Sequence, residues 1–105
     1  MPPSHTKVAS VLDSIEAELK RIGYWQDTPL QPEQYDFRAA FAMDTMAYNQ
    51  WLQFVFIPRV RSIIAAQGQF PASSSVGTQA VREFDGNHEA ARLVILLSEF
   101  DALFG

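Results

Sequence analysis

Residues 41–60 read FAMDTMAYNQWLQFVFIPRV, a helix-length stretch that sets two Met, one Tyr, one Trp and three Phe against a single Asp and a single Arg. Such a segment is too aromatic for a solvated linker and too polar for a membrane span, which places it against other protein surface. Trp51, Leu52, Val55, Val60, Ile63 and Ile64 carry the step of three and four residues onward to Gly68, and this predicts a long helix. Asp44 and Thr45 stand ahead of it as candidate caps. Pro58 has no amide hydrogen, and its ring meets the carbonyl of Phe54 four residues back, so a kink is expected in that helix.

The flanking sequence completes an all-α reading. Upstream, Val8, Val11, Leu12, Ile15, Leu19 and Ile22 form one face of an amphipathic helix, with Ser4 as its cap, Lys20 and Arg21 in its last turn and Gly23 available for the left-handed position beyond. From Tyr24 to Arg38 no period is sustained, and Pro29 and Pro32 interrupt the chain. Tyr24, Trp25, Tyr35 and Phe37 predict that this loop is ordered, with its rings tucked against the helices. Downstream, Gly68, Pro71 and Ser73 to Ser75 mark a turn-rich connection, and Thr78 to Phe84 has room only for a short helix before the Asp85-Gly86 turn. Asn87 then caps a last helix that shows Ala90, Leu93, Leu96, Leu97, Phe100, Leu103 and Phe104 on one broad face. The expected architecture is a small antiparallel four-helix bundle, one domain over residues 1–105, with a long ordered loop between helices one and two and a Pro-kinked second helix.

Composition excludes several functions. The formal charge is −4 and the pI about 4.9, so the chain lacks the basic face that phosphate neutralisation requires, and direct nucleic-acid binding by the chain alone is not expected. The absence of Cys removes disulfides, thiolate chemistry and Cys-based zinc sites, and fits a reducing cytoplasm. No signal-peptide core opens the chain, and no apolar run approaches the ~20 residues of a membrane helix.

Catalytic constellations are missing as well. His5 and His88 have no second ligand at helical spacing, and the chain contains no glycine-rich phosphate loop, Ser-His-Asp set or HExxH motif. Asp27, Glu33, Asp36 and Asp44 crowd the loop, where caps and solvated carboxylates are the default reading. The expectation is a protein that is not an enzyme and holds no cofactor or metal.

The aromatic stretch itself admits different readings. At 100 degrees per residue, Trp51, Leu52, Phe54, Val55, Phe56 and Ile57 cover nearly the whole circumference of a helix, so one-sided packing leaves some of them uncovered. Either the helix is central and surrounded, or a part near Trp51, Gln53, Phe54, Arg59 and Arg61 is an exposed partner site of the residue types that interfaces favour. A third reading, an interfacial membrane helix, is weakened by the low overall basicity.

The motif MDTM at Met43 to Met46, followed by QWLQFVFIPR at Gln50 to Arg59, and the ending FDALF at Phe100 to Phe104 resemble the YqcC-like family of small bacterial proteins of uncharacterised function. The resemblance spans nearly the whole chain and implies an all-α bundle, a bacterial cytoplasmic setting and association with tRNA pseudouridine synthase C. It carries no catalytic residue across. Polar and aromatic motif positions, namely Asp44, Thr45, Gln50, Trp51, Gln53 and Arg59, together with Phe54, are the candidate partner or ligand surface.

Two functions follow. One is a docking module without chemistry that uses the Trp51 to Arg59 face on a protein partner such as a tRNA pseudouridine synthase. The other is a small-molecule-binding protein whose pocket lies between the 24–46 loop and the kinked helix, with Asp44, Thr45 and Gln50 pointing polar groups into it. A homodimer through Leu103 and Phe104 is the lesser option for an apolar terminus that ordinarily docks on its own core.

Overall fold

A computed structural model describes residues 3–104; positions 1, 2 and 105 of the expected domain lie outside it. Among the described residues all regular structure is helical, with no strand. Helix α1 spans His5–Arg21, α2 runs continuously over 48–65, α3 spans Val76–Glu83 and α4 spans Ala91–Ala102, with short 3-10 turns at Pro32–Tyr35, Ala40–Ala42 and His88–Ala90.

Helix α1 forms as its pattern predicts. The Ser4 hydroxyl accepts from the Lys7 amide at 3.1 Å, Gly23 takes the left-handed conformation at φ 78°, and Val8, Leu12, Ile15 and Leu19 have no solvent exposure. Helix α4 buries Leu93, Leu96, Leu97 and Phe100 on the expected face and makes its most extensive contacts with α3 and α1. Helices α3 and α4 approach closely because residue 77 is glycine: a Cβ there would sit 2.6 Å from the Ser98 Cα, inside any permitted contact.

Helix α2 departs from expectation at its start, and its winding changes in the middle. Neither Asp44 nor Thr45 caps it. The helix begins at Tyr48, and the Gln50 side chain reaches back to accept from the Ala47 amide at 2.9 Å. Asp44 is engaged further upstream, where its Oδ2 accepts from the Arg38 amide at 3.0 Å. Phe41 and Ala42 take left-handed backbone conformations, φ 57° and 53°, just before this turn. The Phe41 ring offsets that local strain by packing edge-on to Trp51 and Tyr48, with centroids 5.1 and 5.8 Å away.

Within α2, Tyr48–Trp51 is α-helical, Leu52–Phe56 is π-helical and Ile57–Ala65 is α-helical again. The Ile57 amide donates to the carbonyl of Leu52, five residues back. This wider winding lies directly ahead of Pro58, where α geometry would lose a donor and press the proline ring on the Phe54 carbonyl. Trp51, Leu52, Gln53, Val55, Phe56, Ile57 and Val60 are all buried, so α2 is covered on most of its circumference. Of the loop rings, Tyr24, Trp25 and Phe37 pack against the core, whereas Tyr35 remains 49% exposed.

Candidate functional site

The polar residues of the central motif lie on one side of α2 and pin the loop that crosses it. Gln53 is buried, and its amide pairs with the backbone of Gln26 in both directions: Nε2 donates to the Gln26 carbonyl at 2.7 Å, and Oε1 accepts from the Gln26 amide at 3.0 Å. One turn earlier, Gln50 Nε2 donates to the Gln26 side-chain oxygen at 3.1 Å, and Asn49 Nδ2 donates to the Tyr24 carbonyl at 3.0 Å. These helix residues supply an irregular segment with the partners that a neighbouring strand would otherwise provide, as burial of backbone polar groups requires.

Thr45 holds the next part of the loop. Its hydroxyl donates to the Gln34 carbonyl at 2.6 Å, and Gln34 Nε2 returns a bond to the Thr45 carbonyl at 3.2 Å. The Asp44 carboxyl is held below its ordinary value, chiefly by the Arg38 amide. Asp44, Thr45 and Gln50 are thus each bonded to backbone or to another side chain that shapes the loop, as the loop's own polar groups require.

Trp51 is buried at 8% exposure. It stacks on Tyr48 and Phe56 with centroids 5.6 Å away in each case, and receives Phe41 edge-on. Besides the exposed Asp44 of the loop, two candidate residues of α2 reach solvent side by side: Phe54, half-buried, and Arg59, exposed. They share a shallow groove with Tyr35, Phe37, Pro58 and Ser62, between the loop and α2. The structure thus brings Phe54 and Arg59 together, keeps Trp51 and Gln53 inside, and gives Asp44 and Thr45 to the loop.

The positive clusters resolve unequally. Arg61 donates to Asp13 at 3.1 Å and to Glu16 at 2.9 Å, Lys20 pairs with Glu16 at 2.9 Å and lies over the Trp25 ring, and Arg21 grips both oxygens of buried Glu18. Lys20 and then Arg61 hold the Glu16 carboxyl below its ordinary value, and Arg21 does the same for Glu18. Arg59 has no ion pair among the described residues.

Three polar contacts carry weight that the sequence did not assign. Tyr48 donates to the Val76 carbonyl at 2.7 Å from a buried position, and burial pushes its phenol well above the ordinary tyrosine range. Asp101 of α4 collects the start of α3: Oδ1 accepts from Ser74 Oγ at 2.6 Å and the Val76 amide at 3.0 Å, and Oδ2 from the Gly77 amide at 2.8 Å. An acidic residue set between Phe100 and Ala102 is the only trace that contact leaves in the sequence. His5 donates Nε2 to the Gly68 carbonyl at 2.8 Å and packs on Phe70, which joins the start of α1 to the end of α2. Among the described residues no three His, Cys, Asp or Glu side chains converge as metal ligands, and no helix is long and apolar enough to cross a membrane.

Known proteins share this chain's sequence pattern and its fold. The profile of the family described as tRNA pseudouridine synthase C matches residues 7–103. The uncharacterized protein YqcC of Escherichia coli (strain K12) is 30% identical over 102 residues, covering 96% of this chain and 94% of that protein. Its solution NMR structure superposes with a TM-score of 0.83 at 31% identity, over 95% of this chain and 86% of that one. A tRNA pseudouridine synthase C of Pectobacterium carotovorum subsp. carotovorum is 33% identical over 67 residues, which are 64% of this chain and 18% of that enzyme.

Proposed function

The chain belongs to the YqcC-like family, and from that membership we propose that it is a non-enzymatic accessory module that docks on a tRNA pseudouridine synthase. The observation that carries the reading is the 67-residue likeness to part of a synthase. A segment similar to 64% of this chain takes up 18% of that enzyme's length, which leaves the larger share outside the likeness. A helical unit found beside a catalytic body in one protein is suited to meet such a body as a separate chain in another.

The side chains fit that role. The motif's polar groups are spent on holding the loop, and the burial of Trp51 serves the core, which leaves recognition to the outward groove of Tyr35, Phe37, Phe54 and Pro58 with Arg59 at its edge. Aromatic residues and Arg are the types that anchor interfaces. The reading includes two finer features of the fold: antiparallel packing of the four helices, and a bend of α2 at Pro58 for which the π-helical stretch is the support. It also places the protein in the cytoplasm, where tRNA and its modifying enzymes meet.

The test is enzymatic. Purified synthase from the same genome is assayed on its tRNA with and without this chain, and with Phe54→Ser, a half-buried groove position. The proposal expects the wild-type chain to change the rate or the apparent tRNA affinity, and Phe54→Ser to lose most of that effect with its circular dichroism unchanged. A synthase indifferent to the wild-type chain would remove the proposal.

A further inference from the structure

The α2 helix, the connection after it and the end of α4 enclose a cavity of about 190 Å³. Its wall is a continuous arc of rings. Trp51 stacks on Phe56 at 5.6 Å, Phe56 meets Phe100 edge-on at 5.0 Å, Phe100 lies against Phe104 at 5.0 Å, and Phe104 meets Phe70 edge-on at 5.6 Å. One charged side chain lines the cavity, that of Arg59, and no acidic residue does. The polar lining is completed by hydroxyls of the serine run: Ser74 is already bonded to Asp101, whereas Ser73 is exposed.

We infer that this cavity binds a small aromatic carboxylate, with one or two fused rings lodged among the five aromatic side chains and the carboxylate paired with Arg59. Size sets the first limit: a dry cavity of roughly 150 Å³ accommodates benzene, so a space of about 190 Å³ is matched in volume by a ring or a small bicycle. The wall sets the second, because ring edges and faces presented at several angles reward a flat π-system over a flexible chain. Charge sets the third. A guanidinium forms paired hydrogen bonds to a carboxylate, and Arg59 has no ion pair among the described residues to compete for it. This site shares Arg59 with the docking groove, yet the two readings are tested separately, since this test uses the chain alone and the docking test varies Phe54, which does not line the cavity.

The experiment titrates indole-3-carboxylate into the ¹⁵N-labelled full chain, with indole, octanoate and the Arg59→Gln variant as comparisons. Saturable shifts are expected at the Trp51 indole N–H and at the amides of Phe70 and Phe104. Binding should weaken about tenfold or more for indole and for Arg59→Gln, because each removes one half of a charge-assisted pair. Arg59 is exposed, so its variant keeps the native spectrum. No saturable shift at several millimolar, equal affinity for indole, undiminished binding by Arg59→Gln, or octanoate binding as tightly as the aromatic acid would each overturn the inference.

Discussion

Gln53 occupies an apolar neighbourhood because its amide completes the backbone of Gln26. Replacement by Leu keeps the volume but strips the half-buried amide and carbonyl of Gln26 of their partners, so Gln53→Leu should lose ~1–2 kcal/mol in urea unfolding. Gly77→Ala should cost about 1–3 kcal/mol in the same measurement, because the added methyl meets Ser98 backbone that has no rotamer to change. Neither role is legible in a single sequence. The motif singled out Gln53 and Trp51 as candidate surface, since a glutamine that satisfies a distant backbone and one that faces a partner look alike until the loop is placed. Their burial also means that Trp51→Ala tests folding before it tests recognition.

Legibility improves for whole helices whose signals are local. α1 carries its periodicity and its Ser4 cap locally, and α4 carries its periodicity, with Asn87 accepting from the Glu89 amide to cap the 3-10 turn that leads into it; both helices emerge near the expected bounds. α3 begins at Val76, two residues before its expected Thr78 start, because its cap is the carboxylate of Asp101 on another helix. Asp101→Ala should therefore destabilise the protein by ~1–2 kcal/mol and speed amide exchange over 76–83 more than over α1. The start of α2 was hidden for a similar reason: Asp44 had the chemistry of a cap but was taken by Arg38. At Pro58 the sequence signalled an irregularity, and the chain meets it with a π-helical stretch one turn earlier, a choice that proline alone does not dictate.

At the scale of the molecule, the all-helical fold and the family were legible from hydrophobic period and one unusual motif, whereas the groove and the cavity depend on how α2, the loop and the connection before α3 meet. Electrostatics acts at this scale too. Glu16 and Glu18 have folded pKa values below the ordinary 4.5, so each favours the folded state fully above that value and loses its contribution as pH falls through the depressed folded pKa. Stability should thus decline on acidification below about 4.5, and Glu18→Gln should flatten that decline in pH-dependent urea midpoints. Partnership itself is measured by isothermal titration of the purified chain into the tRNA pseudouridine synthase C of the same genome. A saturable one-to-one complex, weakened by Phe54→Ser, is the predicted result; absence of binding at tens of micromolar by two folded proteins would contradict it.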